Sequence, residues 1–182
     1  EMQETVDLWR ESSPKIVELW RALEKAAIRC VARRAPTTST LGNVRFDFES
    51  GILWMTLPSG RRLAYYGAKY EETKFHPDRK SLTYMGVNQM TKRWERVETW
   101  GGKITENLVQ ATARDVLREA MFSLTEKGWD IRAHVHDECI CTEPIGGKTV
   151  EQMCKAMCPD IPWAMGLPLN ADGYDGPYYF KD

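Results

Sequence analysis

The chain has 182 residues, of which 42% are hydrophobic and 28% charged, with a formal net charge of −1. That is enough apolar material for one sizeable core, or one domain with a peripheral lobe, and it excludes a disordered chain. A pI near 6.4 excludes the global basic field of many small nucleic-acid binders, and no run of about 18 apolar residues marks a membrane span.

The first organised element in the sequence is a helix. Ser13 followed by Pro14 makes a start signal: a hydroxyl suited to capping free N–H groups, then a proline where its missing N–H costs nothing. Ile16, Leu19, Trp20, Leu23, Ala27 and Cys30 recur at helical spacing to about Arg34, and residues 35–40 end the run. Alternation then predicts strands over Val44–Phe48, Ile52–Leu57 and Arg62–Tyr66, turning at Ser50-Gly51 and Pro58-Ser59-Gly60, so this part is a β-meander. Tyr70–Lys80 reads as a charged loop, Ser81–Met85 as a further strand, and Gly101-Gly102 as a break.

A long helix is predicted from about Thr105 to Lys127. Leu108, Ala111, Thr112, Val116, Ala120 and Leu124 form its buried face, widened by Val109, Ala113, Leu117 and Met121; Asn107, Gln110, Arg114 and Arg118 lie on a polar side. Ile131–Val135 and Cys139–Thr142 then form a hairpin with Asp137 and Glu138 at its tip. Two adjacent acids on a tight turn repel unless they are solvated or share a cation, and hard oxygen ligands of this kind suit Mg²⁺ or Mn²⁺. On these residues alone a plain polar turn is the favoured reading. Thr149–Met157 reads as a short amphipathic helix, Leu167–Ala171 as a closing strand, and Tyr174, Tyr178, Tyr179 and Phe180 as an aromatic tail.

Five cysteines, an odd count without a signal peptide, fit reduced thiols in a cytoplasm. Cys139, Cys141, Cys154 and Cys158 offer four thiolates for zinc, but Cys139-x-Cys141 lacks the two-residue knuckle, and small buried hydrophobes account for them better. The basic clusters Arg29/Arg33/Arg34, Arg61/Arg62 and Lys92/Arg93 each read, alone, as solvated faces.

Five blocks in order carry a resemblance. They are Leu57-Pro58-Ser59-Gly60-Arg61-Arg62-Leu63; Gly101-Gly102-Lys103-Ile104-Thr105-Glu106-Asn107-Leu108-Val109-Gln110-Ala111; Arg114-Asp115; Val135-His136-Asp137-Glu138; and Trp163-Ala164-Met165-Gly166-Leu167-Pro168-Leu169. Over most of its length, least clearly between Ala68 and Trp100, the chain resembles the C-terminal part of family A DNA polymerases, especially phage-type relatives of bacterial DNA polymerase I. The resemblance implies an α+β fold: an antiparallel palm-type sheet with a metal-binding hairpin, packed against helices. Residues 1–40 would follow the nucleotide-binding helix of the fingers, residues 41–100 would be the meander and loop, and residues 101–182 would hold the palm helix, the His-Asp-Glu hairpin and the C-terminal strand.

The same resemblance implies template-directed transfer of a nucleotide from a dNTP to a primer 3′ end, with two Mg²⁺ ions (Mn²⁺ as substitute) in the complete enzyme. Asp137 would ligate metal, Glu138 would tune the site, and His136 would contact the primer end or support the turn. Gln110 and Arg114, with Asn107, would reach the primer-template, Gln110 in the minor groove. The family also needs a partner aspartate and a fingers helix bearing lysine, arginine and tyrosine. In family order both precede Val6-Asp7-Leu8-Trp9-Arg10, and neither Asp47 nor Asp78 has the family context. The chain is therefore expected to be inactive alone, to require the N-terminal part of the polymerase, and to form homo-oligomers or aggregate through surface that part would cover. Its place would be the cytoplasm, the host's if phage-encoded. The alternative is a separately encoded, non-catalytic remnant that binds DNA or protein.

Overall fold

The computed structural model describes residues 2–73 and 78–179, which divide into two compact units, the first ending at Val109 and the second beginning at Gln110. The first unit opens with two helices, α1 (Met2–Ser12) and α2 (Pro14–Arg33). Sequence periodicity located α2 to within a residue. Its cap differs from expectation: the Ser13 hydroxyl makes no capping bond, and the Ser13 carbonyl instead accepts from the N–H groups of Ile16 and Val17. No residue of α1 is buried, yet Trp9 on α1 stacks on Trp20 of α2 with ring centroids 5.5 Å apart.

Six antiparallel strands follow in a simple meander: β1 (Thr37–Thr38), β2 (Arg45–Glu49), β3 (Ile52–Thr56), β4 (Arg62–Glu72), β5 (Lys80–Val87) and β6 (Trp94–Thr99). The order along the sheet equals the order along the chain because every connection is a hairpin. Alternation sends Phe46, Leu53, Met55 and Tyr65 to the inner face, where Leu23, Ala26, Ala27, Cys30 and Val31 of α2 complete a fully buried core. Thr37 Oγ1 ties the short first strand to the Ala26 carbonyl at 2.8 Å.

The charged stretch read as a loop from Tyr70 to Lys80 is largely strand, since β4 runs to Glu72 and β5 begins at Lys80; residues 74–77 lie outside the described residues. β4 is also longer than expected because a bulge between Tyr66 and Lys69, with Gly67 at φ +57°, lets one strand serve both halves of the sheet. The strand β6 had no clear signal, its Trp-Glu-Arg-Val-Glu-Thr sequence being mostly polar.

Helix α3 (Gly101–Glu126) starts four residues before its expected position. The double glycine is a close approach rather than a break: a Cβ on Gly101 would stand 2.3 Å from the Trp20 carbonyl oxygen. Besides Gly101, its buried positions are Ile104, Thr105, Leu108, Asp115, Leu117, Ala120, Ser123 and Leu124, whereas Val109 and Ala113, expected to widen the apolar face, are exposed. The face thus keeps Leu108, Ala120 and Leu124 where expected, leaves Ala111, Thr112 and Val116 half-buried, and takes in the Asp115 carboxylate.

The second unit holds the rest of α3, the hairpin β7 (Asp130–Val135) and β8 (Glu138–Thr142), and α4 (Val150–Met157). Its core is Leu124, Trp129 and Ala156, with Ile131, Cys139, Cys141, Met153 and Met157 packed against it. Gly128 at φ +74° ends α3 and lets the Trp129 N–H return to the Leu124 carbonyl at 3.0 Å. Thr149 and Gln152 close α4 with a reciprocal capping box. The hairpin is a two-stranded sheet of its own, not part of the six-stranded one. Leu167–Ala171, expected as a closing strand, has no regular structure. The architecture is α+β with antiparallel sheets.

Candidate functional site

The hairpin reverses in two residues. Val135 pairs with Glu138, so the loop is His136-Asp137, and Glu138 is the first residue of β8 rather than a tip residue. His136 adopts φ +54°, the left-handed region that two-residue hairpins require and that a non-glycine side chain enters at a cost of roughly 1–2 kcal/mol. Asp137 and His136 are exposed and Glu138 is half-buried. Strand parity then points Cys139 and Cys141 into the core and leaves Glu138 on the opposite face.

Two arrangements stiffen this turn. At the far end of the hairpin, Arg132 sits on a bulge between Ile131 and Ala133, ion-pairs with Asp130, and donates from Nε to Thr142 Oγ1 at 3.0 Å. Thr142 Oγ1 donates in turn to Asp130 Oδ2 at 3.0 Å, linking both strands across their open end. At the turn, the Tyr179 hydroxyl donates to Glu138 Oε2 at 2.8 Å. That bond to a carboxylate raises the Tyr179 pKa. The tail expected only as an aromatic terminus therefore supplies a support for the acid pair; its spacing from Glu138 gave no signal in the sequence. Phe180 lies outside the described residues.

Arg114, on α3, is exposed, and its charge acts on Cys139 of β8, drawing that thiol's pKa down against the larger upward push of burial. The arginine and the hairpin strand thus belong to one electrostatic neighbourhood. Gln110 is exposed on the preceding turn of the helix. Asp115, next to Arg114, is 2% exposed and is one of the charges that raise the pKa of Arg118, whose main cause is the 2.7 Å bond to Glu119.

Asn107 is in the first unit. Its Nδ2 donates to the Tyr65 hydroxyl at 3.1 Å, and burial of that ring pushes the Tyr65 pKa up to about 12. Asp47 is buried and held by Arg45 in a forked contact of 2.8 to 3.1 Å, which keeps its carboxyl below the usual range. It is committed to that pair. Asp78 lies in a turn.

The donor chemistry at the turn is hard oxygen. Among the described residues no group of three or more His, Cys, Asp or Glu side chains is arranged to hold a metal ion. One or two carboxylates nevertheless match the usual protein share of a Mg²⁺ site, the other positions being filled by water and phosphate oxygens. Asp137 and Glu138 fit as part of such a set, not as a whole one. The thiols Cys139 and Cys141 are raised in pKa by burial, Cys141 to about 11, which suits packing rather than metal ligation.

No described helix is long and apolar enough to cross a membrane. No family model matches the chain, and no solved structure matches it significantly. In sequence, the chain is similar over its whole length to the DNA polymerase of Bacillus phage SP02, with 44% identity over 183 aligned residues, and it spans 28% of that polymerase's length.

Proposed function

We propose that this chain is the part of a family A DNA polymerase that contributes the second metal-binding aspartate, Asp137, to template-directed nucleotidyl transfer. The observation that carries the reading is the coincidence of similarity, along the whole of this chain, to part of a phage DNA polymerase with a two-residue hairpin that presents Asp137 to solvent on a braced support. The remaining carboxylate and the nucleotide-binding helix come from the rest of the complete polymerase, and without them the chain does not polymerise.

Mg²⁺, when bound, stabilises the charge that develops on attacking and leaving oxygens during in-line displacement. Asp137 holds it, with Glu138 beside it oriented by the Tyr179 hydroxyl. His136 sets the backbone reversal that aims Asp137 outward and faces the primer end. Gln110 and Arg114 contact the primer-template, the amide through minor-groove acceptors common to all base pairs and the guanidinium through phosphate. Asn107, whose Nδ2 donates to the Tyr65 hydroxyl, is a further DNA-contacting residue in this reading. The enzyme works in the host cytoplasm.

The test is Mg²⁺-dependent primer extension by the complete polymerase reading frame that contains this chain, unaltered and as Asp137→Asn. A loss of at least about 100-fold in rate, with fold and DNA affinity intact, is the expected outcome. Retained activity withdraws the mechanism and leaves His136-Asp137 as a structural turn.

A further inference from the structure

The outer face of the six-stranded meander holds chemistry that the hairpin does not use. Strand register sets Arg45, Thr56 and Arg62 in one cross-strand row, Asp47, Trp54 and Ala64 in the next, and Tyr66, Met85 and Arg96 in another. Two pairs of large groups result. The Arg62 guanidinium lies 4.4 Å from the centre of the Trp54 ring, and Tyr66 and Trp94 meet with centroids 6.3 Å apart. Tyr66 is 48% and Trp94 59% exposed, and Val87, paired with Trp94, is exposed as well.

The meander also gathers positive charge at one end. In an antiparallel order the β3–β4 and β5–β6 turns return to the same end of the sheet, and they bring Arg61, Arg62, Lys92 and Arg93 with them. Three acids on this face pair with arginines: Asp47 with Arg45 at 2.8 Å, Glu49 with Arg62 at 3.4 Å and Glu71 with Arg96 at 3.4 Å. Among the described residues no ion pair involves Lys92 or Arg93. Residues 37–100 carry ten Lys and Arg against seven Asp and Glu, while residues 110–182 carry seven against twelve. The near-neutral total therefore hides a basic meander.

We propose that this face binds single-stranded DNA, with bases stacked on Tyr66 and Trp94 and phosphates against the basic end that carries Lys92 and Arg93. Exposed rings beside cations fit a strand whose bases are unpaired, because a paired base offers its face to its own neighbours and not to a side chain. The cations at the sheet end complement the phosphate charge. This surface shares no residue with the Asp137 turn or with Gln110 and Arg114, and it requires no metal.

The test uses the full chain and a labelled oligothymidylate of about a dozen nucleotides, followed by fluorescence anisotropy across a salt series, with a duplex of equal length for comparison. Tighter binding to the single strand is expected. Tyr66→Ala with Trp94→Ala should weaken it roughly 10-fold or more, and Tyr66→Phe with Trp94→Phe should keep it, which separates lost stacking from lost folding. Lys92→Ala with Arg93→Ala should lower the salt slope by about 1.4. Equal affinity for the duplex, no measurable binding, or unchanged affinity in the aromatic double variant each overturns the proposal. The binding assay contains no metal and no dNTP and does not involve Asp137, so this proposal and the catalytic one fail separately.

Discussion

His136 occupies a backbone conformation that its side chain tolerates better than a β-branched one would, and the β7–β8 pairing depends on it. His136→Asn should therefore keep the hairpin with little loss of stability, whereas His136→Val should cost about 1–2 kcal/mol in chemical denaturation. If both variants unfold at the same denaturant concentration, the turn carries no such strain. Tyr65 supplies a second residue-scale expectation. Its folded pKa, about 12, stands above the ordinary value near 10, so the protonated phenol stabilises the first unit fully below pH 10, and that contribution drains away as pH rises towards 12. A fall of about 2–3 kcal/mol in unfolding free energy between pH 10 and 12, lost in Tyr65→Phe, is the expected result. A flat profile in the unaltered chain would show the ring to be solvated.

Among the elements, those with strong periodicity were legible and those shaped by tertiary contact were not. Leu23, Ala27 and Cys30 announced α2, and the glycine turns announced β2 to β4. β6 was hidden because its alternation is between polar groups, and the early start of α3 was hidden because two glycines normally argue against a helix. The approach of the Trp20 carbonyl explains Gly101, and the Trp100 ring, 2.0 Å from where a Cβ on Gly102 would stand, explains the second glycine. Gly101→Ala puts a methyl where that oxygen stands, so it is expected to cost more than about 2 kcal/mol despite the better helix propensity of alanine. Thermal unfolding of the variant at or above the unaltered temperature would refute the close approach. Of the site, the hairpin and its acids were readable from alternation and turn chemistry, but the Tyr179 contact joins residues 41 positions apart and no local pattern could carry it.

At the scale of the whole molecule, the exposed apolar side chains are many and large. Leu8 and Trp9 on α1, Phe122 on α3, and Met165 and Leu167 near the end of the chain all stand in solvent. A chain with such a surface is expected to self-associate, and light scattering on the purified chain checks it: a monodisperse monomer across the micromolar range would count against surface that the rest of a polymerase covers. The sequence could suggest that outcome only through the family resemblance, since scattered apolar residues carry no label saying which face they share.

Parity in the hairpin has a consequence for how this site can change. Cys139 and Cys141 are fixed by the core behind them, and Asp137 stands two residues before Cys139. The core therefore works as a ruler for the turn. Any substitution that keeps the count leaves the carboxylate aimed where it was, while a single inserted or deleted residue in β8 would exchange inside for outside along the strand and bury Glu138 where a thiol had been. Variation in this hairpin is then open to side-chain chemistry and closed to length.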